Sequence, residues 1–549
     1  MWRIDILSSF VAVSIGIFGL LTIVYSLGFM KNRPQLFQYY IYVILTIAAS
    51  IGTIFTNNLL VLLVLWGFLG LTLYLLINMG DKNSSTTAKK TLIIVGGSDS
   101  LMLLGIGIVY YLTGTLDMDK IQLTVDSSQL TVIAFLCLAI TAFAKAGAMP
   151  LHTWIPDVAE SAPIPVSALL PASLDKLLGI YLLFRISTEL FVLTTFINQF
   201  LLIIGAITIL AAVMMALIQH NYKKLLGYHA VSQVGYMVMG IGTGNPVGIA
   251  GGLFHMLNNA IYKSDLFLIG GAVESKRQTL ELDKLGGLSK AMPVTFFCAL
   301  IASLSISGVP PFNGFVSKWM IYQGLISQLH ATSYSLRVTS LLCLISAMFG
   351  SALTLASFLK LLHATFLGQK SSRSTASSQL SAKIDEVNFL MRLPMLILAI
   401  ICIIFGVFAS QIPLRYFILP SVKETAFLGI WTSNLATLLI IVGIVVGLVI
   451  LWLGDLKKNT RQDNSYVGGE IIPQEFRPTG TEFYNTVKDL AGFKQIYQKA
   501  QEGYFDIYEQ AKGIVFNFTR LLQHLHNGIL PTYLVWCLLG MIVLFFIIY

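Results

Sequence analysis

The sequence predicts an all-α polytopic membrane protein, and three observations carry that prediction. Of the 549 residues, 56% are hydrophobic and only 11% charged, where soluble domains carry about 25% charged residues. The apolar residues fall in runs long enough to cross a bilayer, which takes about 20 helical residues each. Two of these runs are interrupted by proline next to a lysine, and a broken helix at membrane depth persists only inside protein or along a water-filled path. The net charge of +9 is read as a topology signal and not as affinity for nucleic acid. Cys137, Cys298, Cys343, Cys402 and Cys537 stand far apart inside apolar runs. That spacing offers no disulfide framework, cluster or metal site, so no cofactor is expected in this chain.

Apolar segments at 5–30, 36–56, 58–79, 91–113, 131–162, 164–186, 197–219, 225–243, 247–272, 293–329, 338–367, 391–411, 434–454 and 530–549 predict about 14 transmembrane helices. The first is too long for a signal-peptide core and is taken as a span. Residues 1–35 form an N-terminal span, 36–186 a first five-helix repeat and 197–367 a second, with two further spans in 391–454. Each repeat has its broken helix in fourth place. Five is odd, so the two repeats start on opposite sides and are inverted, an arrangement typical of transporters. With this alternation Lys31, Arg33, Lys89, Lys90, Lys276, Arg277, Lys370 and Lys457 share one side, while Asp117, Asp119 and Asp126 lie on the other. The positive-inside rule makes the first side cytoplasmic and both termini external. The expected location is the cell (inner) membrane.

Chemistry concentrates at the breaks. Pro150 cannot donate a helical hydrogen bond, and Lys145 precedes it among Ala144, Ala146 and Gly147. Low-dielectric burial disfavours the charged ammonium, which suits a lysine there to proton uptake and release. Pro310 and Pro311 break the second segment and Lys318 follows, the counterpart of Lys145 in the second repeat. Asp175 and Lys176 lie deep in the span after the first break. Adjacent helical residues diverge, so any partner of either must come from another helix. His255, Asn259 and Lys263 recur every four residues along one helical face, as the members of a proton wire would. Asp265 faces elsewhere and is available to neutralise a lysine of a neighbouring span.

Residues 481–528 are helix-friendly, with charged residues interleaved with aromatics. They predict a long amphipathic helix on the cytoplasmic surface, reaching neighbouring subunits, after a loop over 468–480. Residues 530–549 form a C-terminal anchor.

The segments KAGAMPLHTWIPDVAESAPIPVSALL, HNYKKLLGYHAVSQVGYMVMGIG, HMLNNAIYKSDLFL and SGVPPFNGFVSKW resemble the antiporter-like subunits of respiratory complex I. They are similar also to membrane-bound energy-converting hydrogenases and multi-subunit sodium/proton antiporters. The resemblance covers roughly 29–368, and the 481–549 region looks like the lateral helix and last span of the distal complex I subunit. It implies a proton or sodium channel of two half-channels joined by a central chain of lysines and histidines. Lys145 would be the central lysine, Lys176 the lysine of the next span, His255 and Lys263 the connecting relay, and Lys318 the exit-side residue.

The chain departs from the pattern at named positions. The family's glutamate after the tryptophan, partner of the central lysine, is here Gly67 after Trp66, with Asp175 and Asp265 as the candidate compensating carboxylates; expected histidines are Pro171 and Asn259. The N-terminus begins where the family's third helix would. The expected function is a non-redox, ion-translocating subunit of a redox-driven, complex I-like or hydrogenase-like assembly, in contact with other membrane subunits and the lipid bilayer. Two alternatives stand beside it: a subunit of a multi-subunit cation/proton antiporter, and a structural spacer with an impaired channel, which Gly67, Pro171 and Asn259 support.

Overall fold

Helix ends in this chain are set by short polar residues and glycines. Asp5 begins the first helix through a reciprocal capping box with Ser8, and Asn58, Thr194, Asn221 and Asn245 cap later helices with their side-chain oxygens. The computed structural model describes residues 2–31, 33–81, 83–125, 128–368, 385–422, 425, 433–453, 481 and 484–548. Lys370, Lys457 and Asp126 of the charge pattern, and the loop expected over 468–480, lie outside the described residues.

Every predicted apolar segment forms helix. In order these are α1 (Ile6–Phe29), α2 (Leu36–Phe55), α3 (Leu59–Ile77), α4 (Ser84–Thr113), α5 (Gln129–Ala146), α6 (Trp154–Ser161), α7 (Ile164–Leu169) and α8 (Asp175–Arg185). There follow α9 (Thr195–Leu217), α10 (Tyr222–Gly242), α11 (Pro246–Arg277), α12 (Pro293–Ser307), α13 (Asn313–Gln328), α14 (Tyr334–Leu362), α15 (Phe389–Val407) and α16 (Ser433–Leu453). Strand structure among the described residues is minor: Leu123–Thr124 pairs in parallel with Phe191–Val192. Ten helices among the described residues are long and apolar enough to cross a membrane. α10 and α11 are not among them, because lysines, histidines and amides interrupt their apolar character, and α12 is short at 15 residues.

The same packing pattern occurs twice. α2 packs on α3, α3 on α4, α4 on both α5 and α6, and α5 on α8; likewise α9 packs on α10, α10 on α11, α11 on both α12 and α13, and α12 on α14. The two sets meet where α6 packs on α10 and α7 on α11. That seam brings the first break next to the polar face of α11.

Both breaks are built alike. α5 ends at Gly147 (φ +82°) and α12 at Gly308 (φ +77°), each in the left-handed region that glycine enters without a Cβ penalty. Three residues on, the chain passes a cis peptide, Met149–Pro150 in one case and Pro310–Pro311 in the other. A third interruption separates α7 from α8, where Leu170–Leu174 forms a π-turn containing Pro171, as expected where proline withholds its N–H from the helical ladder.

The chain divides into two compact units, residues 1–489 and 490–549. The first ends with the short α17 (Asn485–Asp489); the second holds α18 (Phe493–Gln501), α19 (Ile507–Leu525) and the apolar α20 (Leu530–Ile548). The single helix expected over 481–528 is therefore divided. Gly492 (φ +88°) and Gly503 (φ +79°) interrupt it, and Asp506 starts α19 afresh by accepting the Tyr508 N–H.

Candidate functional site: a buried line of lysines and carboxylates

The last carbonyls of a helix have no partner within it, and at the first break side chains supply the missing donors. Lys176 Nζ donates to the Ala146 carbonyl at 2.6 Å and Trp154 Nε1 to that of Ala144 at 3.0 Å. Lys145 stands in the same final turn of α5, where the helix dipole favours a cation. Its Nζ lies 3.5 Å from Asp175 Oδ1 and 5.8 Å from the centre of the Trp66 ring. Neither partner of this ion pair exceeds 2% side-chain exposure. Charges so enclosed require each other, because a lone one faces a desolvation cost of several kcal/mol.

Gly67 lies on α3 next to Trp66, and its neighbour from the next helix is a carboxylate. A Cβ placed on Gly67 or on Gly70 would come within 3.9 Å of Asp99 Oδ2. Asp99 of α4 feels the field of Lys145, and its Oδ1 is enclosed with no hydrogen-bond partner among the described residues. A carboxylate is thus present where the backbone position expected to carry it is bare.

From Asp175 the line continues. Both Lys145 and Lys176 act electrostatically on Asp175, and Lys176 acts on Lys263 of α11. Lys263 Nζ donates to the Leu226 carbonyl at 2.8 Å. Beyond it stands His229 of α10, within the field of Lys263 and of Lys318. Lys318 closes on the second break, donating to the Ile306 carbonyl at 2.9 Å with its Nζ 4.7 Å from the Tyr236 ring centre. The break geometry refines the expected equivalence with Lys145. Lys145 precedes its break on α5, whereas Lys318 follows its break on α13, and the position equivalent to Lys145 is Ile306. Lys318 therefore reaches the end of α12 from the far side, as Lys176 reaches the end of α5.

His255 is tied to this second region. Its Nδ1 is 2.9 Å from Ser317 Oγ and its Nε2 3.1 Å from Gln233 Oε1, and Lys318 is the cation that acts on it. Asn259, on the same face of α11, turns to the π-turn and donates to the Ala172 carbonyl at 3.3 Å; Ser264 donates to that of Ala168 at 2.9 Å. Carbonyls loosened around Pro171 are thus satisfied from α11, so Pro171 and Asn259 act together as a packing joint.

The two candidate compensating carboxylates part company. Asp175 pairs with Lys145, but Asp265 does not pair with any lysine among the described residues. Both of its oxygens are buried without a hydrogen-bond partner, and the groups that feel its charge are Tyr222, Cys298 and Cys402. Facing elsewhere on α11 carries it away from the lysine line. Asp99 and His229 are not singled out by sequence reasoning, although each is an ionisable residue inside a helix of the bundle, which is itself a signal of function.

Comparison with known proteins gives a consistent assignment. Residues 56–346, more than half of the chain, match the family described as NADH:quinone oxidoreductase/Mrp antiporter, TM. One Na(+)/H(+) antiporter subunit, from Staphylococcus haemolyticus, is 32% identical over 411 residues, 71% of this chain and 50% of that protein. Another Na(+)/H(+) antiporter subunit, from Alkalihalophilus pseudofirmus, is 30% identical over 488 residues, 82% of this chain and 59% of its own length. The chain thus spans about half the length of the curated relatives it matches. Among solved structures, the membrane-bound sulfane sulfur reductase, an archaeal respiratory membrane complex, contains a chain that superposes with TM-score 0.80 at 23% identity. That match covers 100% of this chain and 89% of the other. A chain of the Mrp complex from Dietzia sp. DQ12-45-1b superposes with TM-score 0.68 at 22% identity, covering 76% and 83%. These two likenesses establish a shared fold. The family match over more than half of the chain, with relatives 30–32% identical across 71–82% of it and ten apolar helices, leads to one statement: this chain belongs to the NADH:quinone oxidoreductase/Mrp antiporter transmembrane family, as an antiporter-like multi-pass membrane subunit.

Proposed function

We propose that the chain translocates protons or sodium ions along the buried line, as a subunit of a redox-driven membrane complex with other membrane subunits as partners. One observation carries the reading. Lys145, Asp175, Lys176, Lys263, His255 and Lys318 are each no more than 2% exposed, yet they follow one another between two helix breaks. So many buried ionisable groups are costly in hydrocarbon and are retained for ion movement. Lys145 is the central switching lysine, held by Asp175 and by Asp99 in place of a carboxylate at position 67. Lys176 and Lys263 pass the charge on, and Lys318 with His255 forms the second half. The two five-helix sets are inverted repeats around this line, and the 481–528 region lies on the cytoplasmic side, where α18 and α19 contact neighbouring subunits. The spacer reading rests on Gly67, Pro171 and Asn259, and the Asp99 carboxylate next to Gly67 speaks against the first of these grounds.

Redox drive is supported by the extent of the likeness to the sulfane sulfur reductase chain, which runs through the C-terminal unit. A second reading, a subunit of a cation/proton antiporter driven by ion gradients alone, is favoured by the names of the sequence relatives. The test is ion translocation by the assembled complex in proteoliposomes. Lys145→Ala should abolish translocation with assembly intact, and an unchanged rate would overturn the assignment. Dependence on an added electron donor supports redox drive; full activity on an imposed sodium gradient alone supports the second reading.

A further inference from the structure

Three lysines from three other helices act electrostatically on His229: Lys263 of α11, Lys318 of α13 and Lys360 of α14. His229 is fully buried. On its own helix the Leu226 carbonyl, one turn earlier, holds the Lys263 ammonium. His229 and Lys263 also share a ring: the imidazole is 4.7 Å from the Phe358 ring centre and Lys263 Nζ is 5.6 Å from it. The imidazole Nε2 is 2.7 Å from Ser357 Oγ, while Nδ1 is enclosed with no partner among the described residues.

Ser357 leads outward. Lys360 is one turn further along α14, its Nζ donating to the carbonyls of Leu217 and Gln219 at the end of α9 and lying 5.3 Å from the Tyr484 ring centre. Asp283 acts on Lys360 and is 2.9 Å from His220 Nδ1. The side chains of His220 and Asp283 are 40% and 35% exposed. Titratable and hydroxyl groups are therefore spaced from the surface to the middle of the buried line: His220 and Asp283, Lys360, Ser357 one helical turn away, His229, then Lys263 and Lys318.

We infer that His229 is the branch point at which the buried line exchanges protons with the His220–Asp283 surface, and that the ion moving through this branch is the proton. The inference rests on the translocation reading above and deepens it. A neutral imidazole donates from one nitrogen while it accepts at the other. It can therefore take a proton from the Lys360 side and deliver one towards Lys263 or Lys318 with the ring in place. A sodium ion is repelled there: the charged groups that act on His229 are three ammoniums, with no carboxylate among them to offset the cation's charge. Position, not pairing, explains the free Nδ1, which is the atom left for the second transfer.

The test uses the assembled complex in proteoliposomes, with proton uptake followed by a pH-sensitive dye and sodium uptake by isotope. His229→Gln keeps a side chain able to hydrogen-bond Ser357 but cannot relay. It should slow proton translocation by about a hundredfold, the scale on which a positioned proton-transfer group acts. His229→Ala should be equally slow and should recover part of its rate with added imidazole, a response that a merely structural histidine would not give. Wild-type proton rates in His229→Gln, with Lys263→Ala and Lys145→Ala inactive, would overturn the branch while leaving the translocation reading standing. Wild-type rates in all three would overturn both. Sodium uptake that falls in parallel with proton uptake in His229→Gln, at a fixed ratio and without imidazole rescue in His229→Ala, would overturn the proton assignment.

Discussion

Asp99 Oδ2 lies 3.9 Å from the point where a Cβ on Gly67 would stand, so a carboxylate of α4 stands in contact with the bare position on α3. Lys145 is the charge that Asp99 feels. The position along the chain has changed while the charge near the lysine has been kept. Asp99→Asn should therefore slow translocation by about tenfold or more, equivalent to at least about 1.4 kcal/mol of barrier. Moving the carboxylate back, as Gly67→Glu with Asp99→Asn, should restore most of the rate. Gly67→Ala alone should be harmless, because 3.9 Å is ordinary contact. Initial rates in proteoliposomes check all three, and a fully active Asp99→Asn would remove Asp99 from the line.

The Lys145–Asp175 pair separates stability from function. Removing one member leaves a buried charge without its partner, so Lys145→Met or Asp175→Leu should each destabilise by about 3–5 kcal/mol. Replacing both by apolar residues of similar volume should recover the stability, since such swaps are often neutral or better. The double variant should remain inactive in translocation. Thermal unfolding in detergent reads the first effect and the proteoliposome assay the second. Additive destabilisation in the double variant would mean that the two groups do not interact.

Much of this is legible in the chain because an ionisable residue stands out against apolar neighbours. Lys145, Lys176, Lys263 and Lys318 are visible for that reason, and Pro150, Pro310 and Pro311 mark the breaks. Partnership is not legible. Whether Asp175 or Asp265 meets Lys145 depends on how helices are rotated about their axes, and hydropathy carries no such information. Asp99 is hidden because a carboxylate missing at Gly67 is expected on the same helix, whereas packing supplies it from the next. The division of the C-terminal helix is hidden too, since an isolated glycine is compatible with a helix interior until Gly492 and Gly503 are seen at positive φ.

The two break glycines should respond differently to the same substitution. Both occupy the left-handed region, where an added Cβ costs about 1–2 kcal/mol. At Gly308 the nearest atom to that Cβ is Lys318 Cδ at 3.0 Å, in a flexible side chain that can move aside. At Gly147 it would fall 1.8 Å from Ile155 Cδ1, inside the packed first break. Gly147→Ala should therefore destabilise more than Gly308→Ala, and adding Ile155→Val, which removes that terminal methyl, should narrow the gap. Gly308→Ala should instead act on translocation by shifting Lys318. Thermal unfolding and transport rates of the three variants test the contrast, and equal losses of stability at the two glycines would contradict it.

The start of α1 is tied to the end of α8 by ion pairs that make this joint sensitive to acid. Arg185 Nη2 contacts both Asp5 oxygens at 2.8 and 2.7 Å, Arg185 Nη1 reaches Glu189, and Arg3 contacts Glu189 at 2.8 Å. Burial pushes the Asp5 carboxyl up, but the Ser8 N–H and the Arg185 guanidinium outweigh burial and hold it below its ordinary value. A carboxylate lowered in the folded state contributes stability that is fully present above its unfolded value of about 3.9. That contribution is lost as pH falls through the lower folded value. At neutral pH, Asp5→Asn should therefore melt below wild type, and the difference should shrink as pH drops below about 4. The Glu189 contacts survive in the variant, so the joint loosens without opening. Melting temperatures of the two proteins across the acid range decide the matter, and a difference that stayed constant with pH would show that Asp5 contributes by shape and not by charge.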